Sequence, residues 1–246
     1  MHSHEQELRP YAFAEAPKQV HSQGYVTGTS ILAVKYKDGV MVASDTQLSY
    51  GSYAKYKNIE RVGAVSKNIF LGTSGEYSNF QELIKNLRIQ INPPGDKEVF
   101  LGPRECFKMV RNYMYEKRCK GRPEMNTHVI AGIEEVPAKG TLPYEDDQSG
   151  KFLGVVDHLG NFYFDNVVGT GLGAHLAIPV LRARIGTNLD LPEEEAYKIL
   201  TEAMATLCYR DCRASDTIQV SKVTKDGITI SKPFVLSTSW DIANMI

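Results

Sequence analysis

The sequence predicts an α+β fold, a helix/sheet/sheet/helix sandwich with two antiparallel sheets between helix layers. From Ile31 onward the strand-like segments are apolar at nearly every position, as in strands covered on both faces. Segments with helical spacing interrupt them in the order two hairpins, two helices, strands, two helices, two strands. The 246 residues, with apolar positions spread evenly, suit one large domain with a sizeable core. This pattern leaves other α+β layouts open.

Residues 1–24 are rich in His, Glu, Gln and Pro without a period and read as a polar arm or a propeptide remnant, in which Tyr11 and Phe13 could dock on a neighbour. The domain is expected over 25–246, with a terminal segment at 232–246. The first hairpin spans 25–45 and turns at Asp38-Gly39. Thr29 near its start is either a nucleophile or an ordinary β-branched strand residue. A second hairpin pairs 62–65 with 69–71 across Ser66-Lys67-Asn68 and leads to Gly72-Thr73-Ser74-Gly75.

Residues 78–91 place Phe80, Leu83, Ile84, Leu87 and Ile91 on one helical face, with Ser78 as the expected cap. Asn92-Pro93-Pro94-Gly95 stops that helix, and Pro103 opens another that runs to about residue 120. Strands return at 127–133, 151–157 and 161–165. The polar excursion 134–150 reads as an exposed loop, and Glu145 and Asp146 in it are candidates for contact with a neighbour. Helices follow at 173–185 and 192–209, the second with acids in its first turn. Strands at 217–223 and 227–230 surround the Lys225-Asp226-Gly227 turn.

Charge excludes some function classes. The formal net charge is −1, from 28 Lys and Arg against 29 Asp and Glu, interleaved almost throughout. No footprint for a nucleic-acid backbone or an anionic membrane follows, so protein is the expected partner. No apolar run approaches the length of a membrane span and the N-terminus lacks a secretory pattern, so a soluble intracellular protein is expected. Cys106, Cys119, Cys208 and Cys212 fit neither a zinc spacing nor a disulfide framework and read as reduced thiols. The histidines are scattered, with no HExxH pair, so no metal is expected. Gly72 to Gly75 and Gly169 to Gly173 lack a phosphate-loop pattern and read as tight strand-to-helix junctions, so no cofactor is expected either.

Several segments together resemble the proteasome β-subunit family of N-terminal nucleophile hydrolases. They are Thr29-Ser30-Ile31-Leu32-Ala33-Val34-Lys35, Asp38-Gly39-Val40, Asp45, Gly51, Gly72-Thr73-Ser74-Gly75, Gly169-Thr170-Gly171 and Tyr209-Arg210-Asp211. Val26-Thr27-Gly28-Thr29-Ser30, Leu48-Ser49-Tyr50-Gly51-Ser52, residues 122–126 and Trp240-Asp241-Ile242-Ala243 are similar to the eukaryotic beta-7, or beta type-4, branch.

The resemblance implies a reaction in which a threonine attacks through its hydroxyl while its own free amine serves as base. Thr29 falls on that position, and cleavage after Gly28 would be needed to free the amine. Asp45 matches the site aspartate, Gly75 the backbone oxyanion donor, and Asp211 the supporting aspartate. Three positions depart: Arg61 stands for the lysine, Leu172 and Ala214 for the supporting serines. Arginine holds its proton at any accessible pH, and neither leucine nor alanine side chains hydrogen-bond. A lost preorganised group costs about 3 kcal/mol of transition-state stabilisation, so a non-catalytic pocket is expected. Asp45 and Asp211 then become structural partners, with Arg61 or Arg210 as candidates. Gly28 is either a relic of a cleavage junction or a residue allowing close backbone approach. Any processing is expected upstream of it, by another subunit.

By the same resemblance the chain is a structural β subunit of a 28-subunit 20S core, with two β rings inside two α rings, in ubiquitin- and ATP-dependent degradation in cytoplasm and nucleus. Implied neighbours are α subunits, beta-1 and beta-6 in the same ring, and β subunits of the opposite ring. Seven distinct members per ring require loops and arms that discriminate between neighbours. The chain stops at Ile246, soon after Trp240, so little tail is expected to reach the opposite ring. Trp240, Ile242, Met245 and Ile246 are expected to pack locally or at a short interface. The alternative is an active threonine endopeptidase with an atypical site.

Overall fold

The computed structural model describes residues 26–91, 101–134, 149–186 and 190–241. In chain order the elements are β1 (Thr27–Gly28), β2 (Ile31–Tyr36), β3 (Gly39–Asp45), β4 (Leu48–Tyr50), β5 (Tyr53–Tyr56), β6 (Val62–Ala64), β7 (Ile69–Glu76), α1 (Tyr77–Ile91), α2 (Pro103–Cys119) and β8 (Asn126–Ile133). They continue with β9 (Lys151–Val156), β10 (Phe162–Phe164), β11 (Val167–Gly169), α3 (Gly173–Leu176), α4 (Ile178–Ile185), α5 (Glu193–Arg210), β12 (Thr217–Thr224), β13 (Gly227–Ile230) and β14 (Phe234–Val235).

Two antiparallel sheets result. One runs β10-β9-β8-β7-β1-β4-β5, with β6 also on β7; the other runs β11-β2-β3-β12-β13, with β14 also on β12. Alternate residues of each central strand serve different layers, because successive side chains point to opposite faces. Ile31, Ala33, Val40, Val42, Phe70, Val129, Ala131 and Val223 fill the space between the sheets. Ile69, Leu71, Ile130 and Val156 face the other way, onto Leu83, Leu87, Phe107, Val110 and Met114 of α1 and α2. Leu32, Val34, Met41, Ala43 and Val220 pack on Leu181 of α4 and on Leu200, Ala203 and Leu207 of α5. These three apolar layers make the helix/sheet/sheet/helix sandwich, the arrangement of N-terminal nucleophile hydrolases.

Local chemistry sets the element ends. Glu193, Glu194 and Glu195 open α5, where carboxylates favour the positive end of the helix dipole. Pro103 stands in the first turn of α2, where its missing N–H costs nothing. Four expectations are corrected. The helix expected over 173–185 is two, α3 and α4, divided at Ala177 with a proline at the start of α4. Ser78 does not cap α1; it lies inside the helix and its hydroxyl donates to Glu76 Oε1 at 2.8 Å. Gly72 to Gly75 lie within β7 rather than at its junction with α1. Gly39 belongs to β3, not the turn; a Cβ there would stand 1.9 Å from the Val223 carbonyl oxygen, so only glycine fits.

Candidate active site

The chain crosses from one sheet to the other at Thr29 and Ser30, between β1 and β2. Asp45 ends β3 and Arg61 immediately precedes β6, so three separate strand ends deliver these side chains to one place. The Thr29 hydroxyl donates to Asp45 Oδ1 at 2.7 Å. Arg61, only 1% exposed, lies against both residues. Its Nη1 donates to the Thr29 carbonyl at 2.7 Å, Nη2 to the Ser30 carbonyl at 3.1 Å and Nε to the Asp45 carbonyl at 3.0 Å. Nη2 also forms an ion pair with Asp45 Oδ1. The second carboxylate oxygen, Oδ2, accepts the Ser215 backbone N–H at 3.3 Å.

Burial lowers the Arg61 pKa; the Asp45 charge, its hydrogen bond and the more distant Asp211 charge oppose that shift. A guanidinium nevertheless keeps its proton throughout the accessible pH range. Asp45 is thereby held as a paired carboxylate, and removing either partner would strand a buried charge.

The segment before Thr29 completes the site. Thr27 and Gly28 pair with Ser49 and Leu48 of β4 on one side and with Glu76 and Gly75 of β7 on the other. The Val26 carbonyl accepts the Tyr77 N–H at 2.9 Å. The chain's own upstream residues therefore fill the slot between β4 and β7 that an extended peptide would otherwise enter as an added strand. While the Gly28–Thr29 peptide bond is intact, the Thr29 nitrogen is an amide and no base. Among the described residues the hydroxyl donates to a carboxylate that is itself ion-paired with Arg61.

A family model described as proteasome subunit matches residues 25–223. The chain belongs to the proteasome subunit family. It is 41% identical over 234 residues to proteasome subunit beta type-4 of Arabidopsis thaliana, covering 94% of this chain and 89% of that protein. Identity is 36% over 224 residues to proteasome subunit beta type-4 of Xenopus laevis, covering 90% of this chain and 87% of that protein. Proteasome subunit beta type-7 of Saccharomyces cerevisiae is 32% identical over 235 residues, covering 91% and 84%.

Within this proteasome fold the remaining positions divide. Gly75 stands opposite Gly28 with φ +95°, and a Cβ on it would lie 2.1 Å from the Met125 carbonyl oxygen. Asp211 is buried at the end of α5 and accepts the Arg213 N–H at 3.0 Å. Ala214 closes that turn, its N–H donating to the Asp211 carbonyl at 3.0 Å. Leu172 is 47% exposed, ahead of α3, and contributes nothing to the buried cluster.

Three residues of the site have no signal in residue spacing. Ser30 accepts the Gly173 N–H at 2.8 Å, Thr170 accepts the Ile31 N–H at 2.9 Å, and Ser215 reaches Asp45 through its backbone. Trp240 is 53% exposed and stacks edge-on against Tyr209 at 4.9 Å. Together with Cys208, Asp211, Cys212 and Asp216 these two aromatics line a cavity of about 460 Å³. Tyr11, Phe13, Glu145, Asp146, Ile242, Met245 and Ile246, the other interface candidates, lie outside the described residues.

Proposed function

We propose that this chain is a non-catalytic β subunit of the 20S proteasome core, contributing shape and contacts to the β ring rather than a cutting site. The observation that carries this reading is Arg61. It is buried, it donates to the backbone on the carboxyl side of both Thr29 and Ser30, and it neutralises the one carboxylate the Thr29 hydroxyl reaches. Likeness to beta type-4 and type-7 subunits over about nine-tenths of the chain supports the same reading.

On this reading Thr29, Asp45, Arg61, Gly75, Leu172, Asp211 and Ala214 are a degenerate site, and the peptidase activity of the chamber belongs to other subunits. The chain sits beside the beta-1 and beta-6 subunits, contacts the α ring and the opposite β ring, and works with the 28-subunit particle in ubiquitin-linked protein degradation in cytoplasm and nucleus. Trp240 belongs to its contact surface.

The test is native mass spectrometry of the purified particle, followed by treatment with a peptide epoxyketone that captures N-terminal threonines. The reading predicts that the chain co-migrates with α and β subunits and stays unlabelled while catalytic subunits react. Labelling of Thr29 at a comparable rate would instead establish an active peptidase subunit.

A further inference from the structure

Helix α2 carries an exposed basic stripe that no part of the site uses. Lys108, Arg111, Tyr115 and Arg118 are all exposed and follow Arg104 at successive intervals of four, three, four and three residues. Such spacing puts them on one face of the helix, along about 15 Å of its axis. The acids of the helix lie elsewhere: Glu105 and Glu116 are turned roughly 100° away from the stripe. Glu116 is paired with Lys120, and nearby Glu124 with Lys117. Among the described residues no carboxylate pairs with Lys108, Arg111 or Arg118.

The stripe is also preorganised. The Arg111 guanidinium lies 4.9 Å from the Phe162 ring centre and that of Arg118 lies 5.9 Å from Tyr115. Stacking on a ring face fixes a guanidinium while leaving its N–H edge free for a carboxylate fork. Tyr115 is 52% and Phe162 36% exposed, so an apolar strip runs beside the cations and continues onto β10, the edge strand of its sheet. The nearby Asp157, in the turn that packs on Tyr115, is taken up by Leu159 and Asn161; a merely solvated charged face does not combine exposed rings, stacked arginines and cations that no described carboxylate pairs with. Three cations in a chain of net charge −1 are too few for a phosphate backbone, which favours protein carboxylates.

We propose that this face of α2, with the exposed edge of Phe162, docks an acidic surface segment of a neighbouring subunit. That segment carries two or three carboxylates around an apolar residue that lies on Tyr115. The proposal rests on the reading of the chain as a ring subunit.

The test uses the full chain assembled with its partner subunits and a carbodiimide, which joins an amine directly to a carboxylate in contact with it. The expected product links Lys108 to an Asp or Glu of another subunit. In co-expression with untagged wild type, Lys108→Glu/Arg111→Glu/Arg118→Glu should enter the particle at least about tenfold less, because like charges now face each other. The charge-preserving Lys108→Arg/Arg111→Lys/Arg118→Lys chain should enter within about twofold of wild type. A particle that contains the chain but leaves Lys108 open to acetylation and uncross-linked overturns the docking proposal alone. Ultraviolet cross-linking of the α2 peptide to RNA would also overturn it. A chain that purifies as a monomer with Lys108 open overturns this proposal together with the ring-subunit reading.

Discussion

Gly28 and Arg61 share one space: a Cβ on Gly28 would stand 2.5 Å from Arg61 Cδ and 2.7 Å from Nη1. The glycine ahead of Thr29 is thus required by the arginine packed against it, whatever becomes of the peptide bond that follows. Gly28→Ala in the full chain is expected to lower stability by about 1–3 kcal/mol, the range for overpacking a filled site. Arg61→Ala should cost about 3–5 kcal/mol because Asp45 is left buried without its partner. The two losses should fall short of additive by more than about 0.5 kcal/mol, since the alanine at 61 vacates the space the first change needs. Urea midpoints of both single variants and the double variant measure this; strict additivity would refute the shared volume.

Thr29→Ala is expected to leave the peptidase activities of the assembled particle unchanged. Arg61→Lys, which restores an amine at that position, should remain unreactive to a threonine-directed epoxyketone, because the Thr29 nitrogen is still bonded to Gly28. Peptide hydrolysis assays and intact mass of the treated subunit give both readouts. A mass increase on the lysine variant would place the inactivity in the arginine alone.

His128 makes stability depend on pH. Its ring is fully buried in β8, Nδ1 lies 2.7 Å from Thr73 Oγ1, and burial pushes its pKa from 6.5 down to about 3. The unfolded chain therefore binds a proton between these values that the folded chain refuses. The stability this group contributes is present above pH 6.5 and is lost as pH falls toward 3, by up to about 1.4 kcal/mol per pH unit. His128→Gln should show a shallower fall in urea midpoint between pH 7 and about pH 4 than wild type. Parallel pH profiles for the two chains would show that the imidazole is protonated without cost.

Trp240 separates folding from assembly. Its ring is half exposed and meets Tyr209 edge-on, while the Ser239 N–H donates to the Tyr209 hydroxyl at 2.7 Å. Trp240→Ala should cost the full chain only about 1 kcal/mol, the scale of one aromatic pair. A clearly larger deficit in ring assembly, read by native mass spectrometry, is expected if the exposed half is covered in the particle. Equal losses in both measurements would confine the tryptophan to local packing.

The long apolar strands and amphipathic helices were legible because burial on one or both faces leaves a period in the residues themselves. β2, β3, β8, α1, α2 and α5 fall close to their expected limits for that reason, while β7 runs five residues beyond its expected end at 71. β1, β4, β5 and β14 left no such trace. Each has two to four residues, and β5 is exposed throughout, so it is pairing with partner strands, not burial, that defines them. The division at Ala177 was hidden because Ala177 is itself buried and Leu181 and Ile185 follow it at intervals of four, as in an unbroken helix. At the site, Thr29, Asp45 and Arg61 could be singled out by type and by family likeness. The contacts of Ser30, Thr170 and Ser215 could not, since each involves a backbone group whose position only the folded chain fixes.

The two-residue strand β1 has a mechanical consequence. Along the order of its sheet, the hairpin of β4 and β5 meets the remaining strands only through Thr27 and Gly28. Severing the backbone just after those residues, as an N-terminal nucleophile enzyme must do to free its amine, would leave that link between two blocks of strands held by strand pairing alone. For as long as Thr27 and Gly28 stay joined to the chain, they serve it as a beam.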